Sequence, residues 1–167
     1  MGPFLEQYVN ALSKKFAGQI TREAFGKALI DATYETICNC DPEITNLDAF
    51  AASFARLSGL PWESAWQTIE RYYAEEYHEL GKHITQASLA KDVVKQCVGN
   101  GWQIVLATQP IYPEQAVRTR LAWCGVDSMP WRFITTIDKM HYCKPQVEYY
   151  REISHLVGLD PSRCVMV

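Results

Sequence analysis

No run of apolar residues in this sequence approaches the ~20 needed to cross a membrane. The start, MGPFLEQYVN, meets glutamate at once and has no basic segment followed by an apolar core. A secretory signal is therefore not expected. Gly2 would suit myristoylation, but Glu6 stands where that motif takes Ser or Thr. Excess positive charge is also missing. The formal net charge is -3, which argues against a nucleic-acid backbone as partner. Internal repeats and low-complexity segments are absent. Cysteine is present six times but without a zinc spacing. Only Cys38 and Cys40 lie close, as C-x-C, and no second Cys or His pair completes a site. Reduced thiols in a cytoplasmic protein are the expectation, with a metal or redox pair at Cys38/Cys40 as the lesser alternative.

What is there is an ordinary globular balance in 167 residues, 48% hydrophobic and 21% charged. That suffices for one domain, or a domain with a small subdomain. The halves differ. Up to about residue 80 the apolar spacing is helical. Phe4, Leu5, Tyr8, Val9, Leu12 and Phe16 share a face that stops near Gly18. Thr21 suits the cap of a second helix, and a third opens at Asp48 and ends near Gly59. Pro61 suits the first turn of a fourth helix, which runs to about Gly81 with Trp62, Trp66, Tyr72, Tyr73 and Tyr77 along it. An aromatic stripe at this spacing is packing more often than ligand contact.

From about residue 86 the pattern alternates. SLAKDVVKQCVGNG predicts a helix, WQIVLAT a strand, PEQAVRTRLAWCGV a helix and RFITTI a strand. PQVEYYREISHLVG then predicts a helix and CVMV a third strand. Such alternation predicts a parallel sheet wrapped by helices, with ligands at the carboxyl ends of its strands.

Two positions at that edge carry chemistry. Thr108 ends the first strand with a hydroxyl donor, just before a helix start whose free amides would favour an anion. Lys144 is predicted at or just before a helix opened by Pro145, where the dipole repels a cation unless an anion lies nearby. Asp138 falls near the same edge, and Asp160 reads as the cap of the DPSR turn. His78, His83, His141 and His155 form no ligand spacing, although His141 is close to Lys144.

In this order, IVLATQP with Thr108, CKPQVEYYREI with Lys144, and GLDPSRCVMV resemble the second, third and approach to the fourth motif of the haloacid dehalogenase-like (HAD) hydrolases. The resemblance implies an α/β fold: a HAD-like Rossmannoid three-layer core, here a partial parallel sheet, with an N-terminal all-helical cap. Residues 1–84 would be the cap and 85–167 the partial core. It further implies a Mg²⁺-dependent phosphatase acting on a small phosphorylated metabolite through an aspartyl-phosphate intermediate. Thr108 and Lys144 would be the catalytic groups present, and Thr108, the Gln109 amide and Lys144 would bind the phosphoryl group. The Asp-x-Asp nucleophile motif and the acidic metal ligands are not in the sequence. The resemblance places them before Met1 and after Val167, so the chain is expected to be truncated at both ends and inactive as it stands. A non-catalytic product that binds a partner, and a dehalogenase or phosphonatase of the same fold, are the alternatives. Oligomeric state stays open.

Overall fold

The structure is a computed structural model that describes residues 3–84 and 89–167. The expected boundary at 84/85, Gly2 and the Ser88 helix start fall on or beside residues outside the described ones.

Four helices build the first half: α1 (Pro3–Ser13), α2 (Arg22–Cys38), α3 (Asn46–Ser58) and α4 (Trp62–Glu75). Their limits follow from local chemistry. The Thr21 hydroxyl accepts from the Ala24 N–H and opens α2. Thr45 does the same for α3 through Asp48, two residues earlier than expected. Gly59 closes α3 at φ 71°, a left-handed conformation that a side chain would strain. After α4 the chain tightens into a 3₁₀ segment, Tyr77–His83, rather than continuing as one helix to Gly81.

Buried residues of α2 at Phe25, Leu29, Ala32 and Thr36 form one face. Phe25 stacks on Phe16 at 5.0 Å and meets Phe54 of α3 edge-on at 5.8 Å. Each fully buried ring of this kind contributes about 1.5–3 kcal/mol over its exposed state. The aromatic stripe of α4 is mainly packing: Tyr72, Tyr73 and Tyr77 are buried, and the Tyr73 and Tyr8 hydroxyls bond at 2.6 Å.

The second half contains α5 (Ala90–Gly99), β1 (Ile104–Leu106), α6 (Glu114–Trp123), β2 (Trp131–Ile134) and α7 (Val147–Val157). β1 and β2 pair in parallel, Val105 opposite Phe133 and Leu106 opposite Ile134, with a register shift after Ile104. They form a strand–helix–strand unit over α6. Ala116 of α6 and Ile137 after β2 join the core built by α1 to α4.

The expected HAD-like Rossmannoid three-layer α/β core is not formed by these residues. The described chain is mostly helical, and its sheet holds two short parallel strands. The physical reason lies in the strands. The CVMV stretch, expected as a third strand, is extended without a ladder partner, and Val165 and Val167 are fully exposed. β1 is half-buried along its whole length, so helices do not close both faces of a sheet around it.

Candidate functional site

Parallel pairing puts the carboxyl ends of β1 and β2 at one edge, and a threonine follows each within two residues. Thr135 is fully buried. Its N–H donates to the Leu106 carbonyl at 3.0 Å, which extends the ladder one step. Its Oγ1 accepts from the Thr108 N–H at 2.9 Å. The two β exits are thereby locked together, and Thr108 is held half-buried where β1 ends.

The Thr108 hydroxyl itself is loosely committed. Its partners, the Gln109 and Thr135 carbonyls and the Thr135 hydroxyl, lie at 3.3–3.5 Å. That is long for an O–H donor, which prefers about 2.7–2.8 Å. Among the described residues the Gln109 N–H donates to no protein group. One donor is thus free at this turn and a second is only loosely held.

Lys144 reaches the same place from 36 residues further along the chain. Its Nζ donates to the Ala107 carbonyl at 2.7 Å and lies 5.7 Å from the Tyr149 ring centroid. An ammonium has three donors, so two remain. Among the described residues no salt bridge includes Lys144. A half-buried cation without a salt-bridge partner, a loosely held hydroxyl and a free amide are groups chemically suited to an anion.

The Gln109 side chain is spent on positioning. Its Oε1 accepts from the Lys144 N–H at 3.0 Å, and its Nε2 donates to the Lys144 carbonyl at 3.3 Å. The donor that Gln109 leaves uncommitted is its backbone N–H. Tyr149 supports the turn from below: its hydroxyl donates to the Thr108 carbonyl at 2.5 Å, and burial pushes its phenol up to about 12. Neighbouring Cys143 is fully buried, and burial likewise raises its thiol to about 12.

One sequence expectation needs correction here. Lys144 does not stand at or directly before a helix opened by Pro145, because α7 opens two residues later, at Val147, with Gln146 at its N-cap. Gln146 turns its amide to the Ile37 and Asn39 carbonyls at 3.0 and 2.9 Å and ties the Lys144 loop to the end of α2. The helix expected after Thr108 opens where the sequence places it, with Pro113 at its N-cap. α6 starts at Glu114, whose carboxylate pairs with Lys139 at 2.6 Å, so an acidic side chain already occupies that terminus.

Thr135, Tyr149 and Asn46 were not singled out from sequence. Thr135 had the same signal as Thr108, a hydroxyl just past an apolar strand. Asn46 had none. It is fully buried in the first turn of α3, and its Nδ2 donates to the Pro110 and Tyr142 carbonyls at 3.4 Å each. It ties the helical half to both site loops. His141 is held by Glu152 at 2.7 Å, and Asp160 caps its turn through the Ser162 N–H at 2.8 Å. Asp138 is exposed.

Among the described residues no group of three or more His, Cys, Asp or Glu side chains could hold a metal ion. The Mg²⁺ implied by the resemblance therefore finds no ligand set there. Cys38 and Cys40 are exposed free thiols. Among the described residues no helix is long and apolar enough to cross a membrane. In comparison with known proteins, the chain matches no family model, no curated protein and no solved structure.

Proposed function

We propose that this chain carries the phosphoryl-binding side of a hydrolase resembling the HAD-like phosphatases, acting on a small phosphorylated molecule in the cytoplasm. The observation that supports the reading is the meeting of Thr108, the Gln109 amide and the unpaired Lys144 at one strand edge. A phosphoryl group presents several anionic oxygens. Lys144 offsets their charge, and the Thr108 hydroxyl and Gln109 N–H each fix an oxygen. Because Thr135, Gln109 and Tyr149 already hold these donors in place, little reorganisation accompanies binding. In the resembling family a carboxylate opposite the lysine attacks phosphorus. Among the described residues no carboxylate forms a salt bridge with Lys144, so the share of this chain is orientation and charge stabilisation, and no attacking step is assigned to it. Six free cysteines fit a reducing compartment.

The same observation supports a second reading, a non-catalytic phosphate-binding protein. Calorimetric titration with orthophosphate tests what the two share. Lys144→Ala should weaken binding at least about tenfold, the size expected from a charged hydrogen bond of roughly 1.5–3 kcal/mol. Thr108→Val should weaken it less. An isotherm unchanged by Lys144→Ala would sink both readings.

A further inference from the structure

A cavity of about 390 Å³ lies between α1, α2, α4 and the segment that leads from β1 to α6. Its volume falls at the low end of the ~300–1,000 Å³ typical of small-molecule sites. The walls are apolar and aromatic; Ile69, Trp66, Tyr73, Tyr112 and Ile137 contribute.

Three chain segments run directly from the phosphoryl site into this wall. Thr108 is followed by Ile111, Tyr112 and Pro113, all on the wall. Thr135 is followed by Ile137, also on the wall. Two residues of chain span at most about 7 Å, and three at most about 11 Å. The Lys144 loop joins through Gln146, whose amide holds the carbonyl of Ile37, again a wall residue. A phosphomonoester with its phosphate at Thr108 and Lys144 therefore has a neighbouring space for its alcohol part.

The chemistry of that space selects the alcohol. The Tyr8 and Tyr73 hydroxyls bond each other at 2.6 Å, and the Thr33 hydroxyl bonds the Leu29 carbonyl at 2.7 Å. The Tyr112 hydroxyl lies beside Arg120, and Tyr34 stands at the exposed rim. Hydroxyls so placed replace little of the water around a sugar, and burying sugar hydroxyls without partners is costly. Aromatic rings that meet edge-to-face or offset, as these walls offer, favour another ring. Resting on the phosphoryl-site reading, we infer that the ligand is the phosphomonoester of an aromatic alcohol of one or two rings, with the ring in this cavity. Sugar phosphates are disfavoured.

Calorimetric titration of the full chain with 1-naphthyl phosphate, 1-naphthol, orthophosphate and glucose 6-phosphate tests this. Naphthyl phosphate should bind at least about tenfold tighter than orthophosphate or glucose 6-phosphate. Ile30→Trp, at the rim where Ile30 is already 37% exposed, should fill the cavity and remove that advantage while orthophosphate binding stays as it is. Tyr34→Ala, at a rim residue 69% exposed, serves as a second variant that leaves the core untouched and should lower naphthyl phosphate affinity alone. Naphthyl phosphate binding no tighter than orthophosphate, while orthophosphate still requires Lys144, would overturn this inference and leave the phosphoryl site standing. Naphthol binding that responds to Ile30→Trp, with no contribution from phosphate or Lys144, would overturn the phosphoryl reading and with it the ligand assigned here.

Discussion

Gln109 and Lys144 clasp each other through two hydrogen bonds, one in each direction, between an amide side chain and a backbone 35 residues away. The clasp sets where the lysine starts, and the Ala107 carbonyl sets where it ends. Gln109→Ala should therefore weaken orthophosphate binding although its side chain does not face the ligand. The two lost bonds should also cost on the order of 1–3 kcal/mol of stability. Denaturant unfolding and phosphate titration measure the two effects. A variant that lost stability and kept full phosphate affinity would show that Lys144 does not need the clasp.

Tyr149 gives a pH signature. Its folded phenol titrates at about 12 because of burial, against about 10 in an unfolded chain. Between those values the unfolded state has released its proton and the folded state has not, so raising the pH favours unfolding. Burial raises Tyr8, Tyr72, Tyr73 and Tyr77 in the same direction. Stability should be intact below pH ~10 and fall above it. Tyr149→Phe should make that fall shallower, at a cost of about 0.5–1.5 kcal/mol near neutrality from the lost bond to Thr108. Chemical denaturation at a series of pH values reads both.

Gly81 faces the Trp123 indole so closely that an added Cβ would lie 2.5 Å from Nε1 and 2.7 Å from Cδ1. The indole cannot simply swing away, since it packs on Tyr77 at 5.4 Å and on Phe4 at 6.3 Å. Gly81→Ala should destabilise by roughly 1–3 kcal/mol, the usual range for overpacking. A thermal melt checks it, and an unchanged midpoint would mean that the contact between the 3₁₀ segment and α6 is looser than described.

The chain should not turn over p-nitrophenyl phosphate, because among the described residues no carboxylate pairs with Lys144 to serve as nucleophile. Release of nitrophenol by purified protein, lost on Lys144→Ala, would refute this.

Legibility from sequence followed the range of the force involved. Helix limits set by one or two residues, such as Thr21 and Gly59, could be read directly because the capping bond or the left-handed turn is local. The meeting of Thr108 with Lys144 was reachable because strand ends share an edge. The third strand was not: CVMV has strand composition, but a strand needs a neighbour, and nothing within the four residues encodes one. The α7 start was read two residues early, because the Gln146 amide is turned to α2 carbonyls far away in sequence. Asn46 was invisible for the same reason, with both acceptors supplied by loops more than 60 residues downstream.

Ala116 and Ile137 sit in the core that α1 to α4 build. During synthesis the four helices emerge long before those two residues do. At ~5–20 residues per second the delay is on the order of seconds. Through that interval the nascent chain shows an unfilled apolar face where Phe4, Tyr8 and Tyr73 will later be covered. The step that completes this core is the same one that brings the β1 and β2 exits into place, so covering the apolar face and forming the edge that carries Thr108 and Thr135 are one event, ahead of the arrival of Lys144.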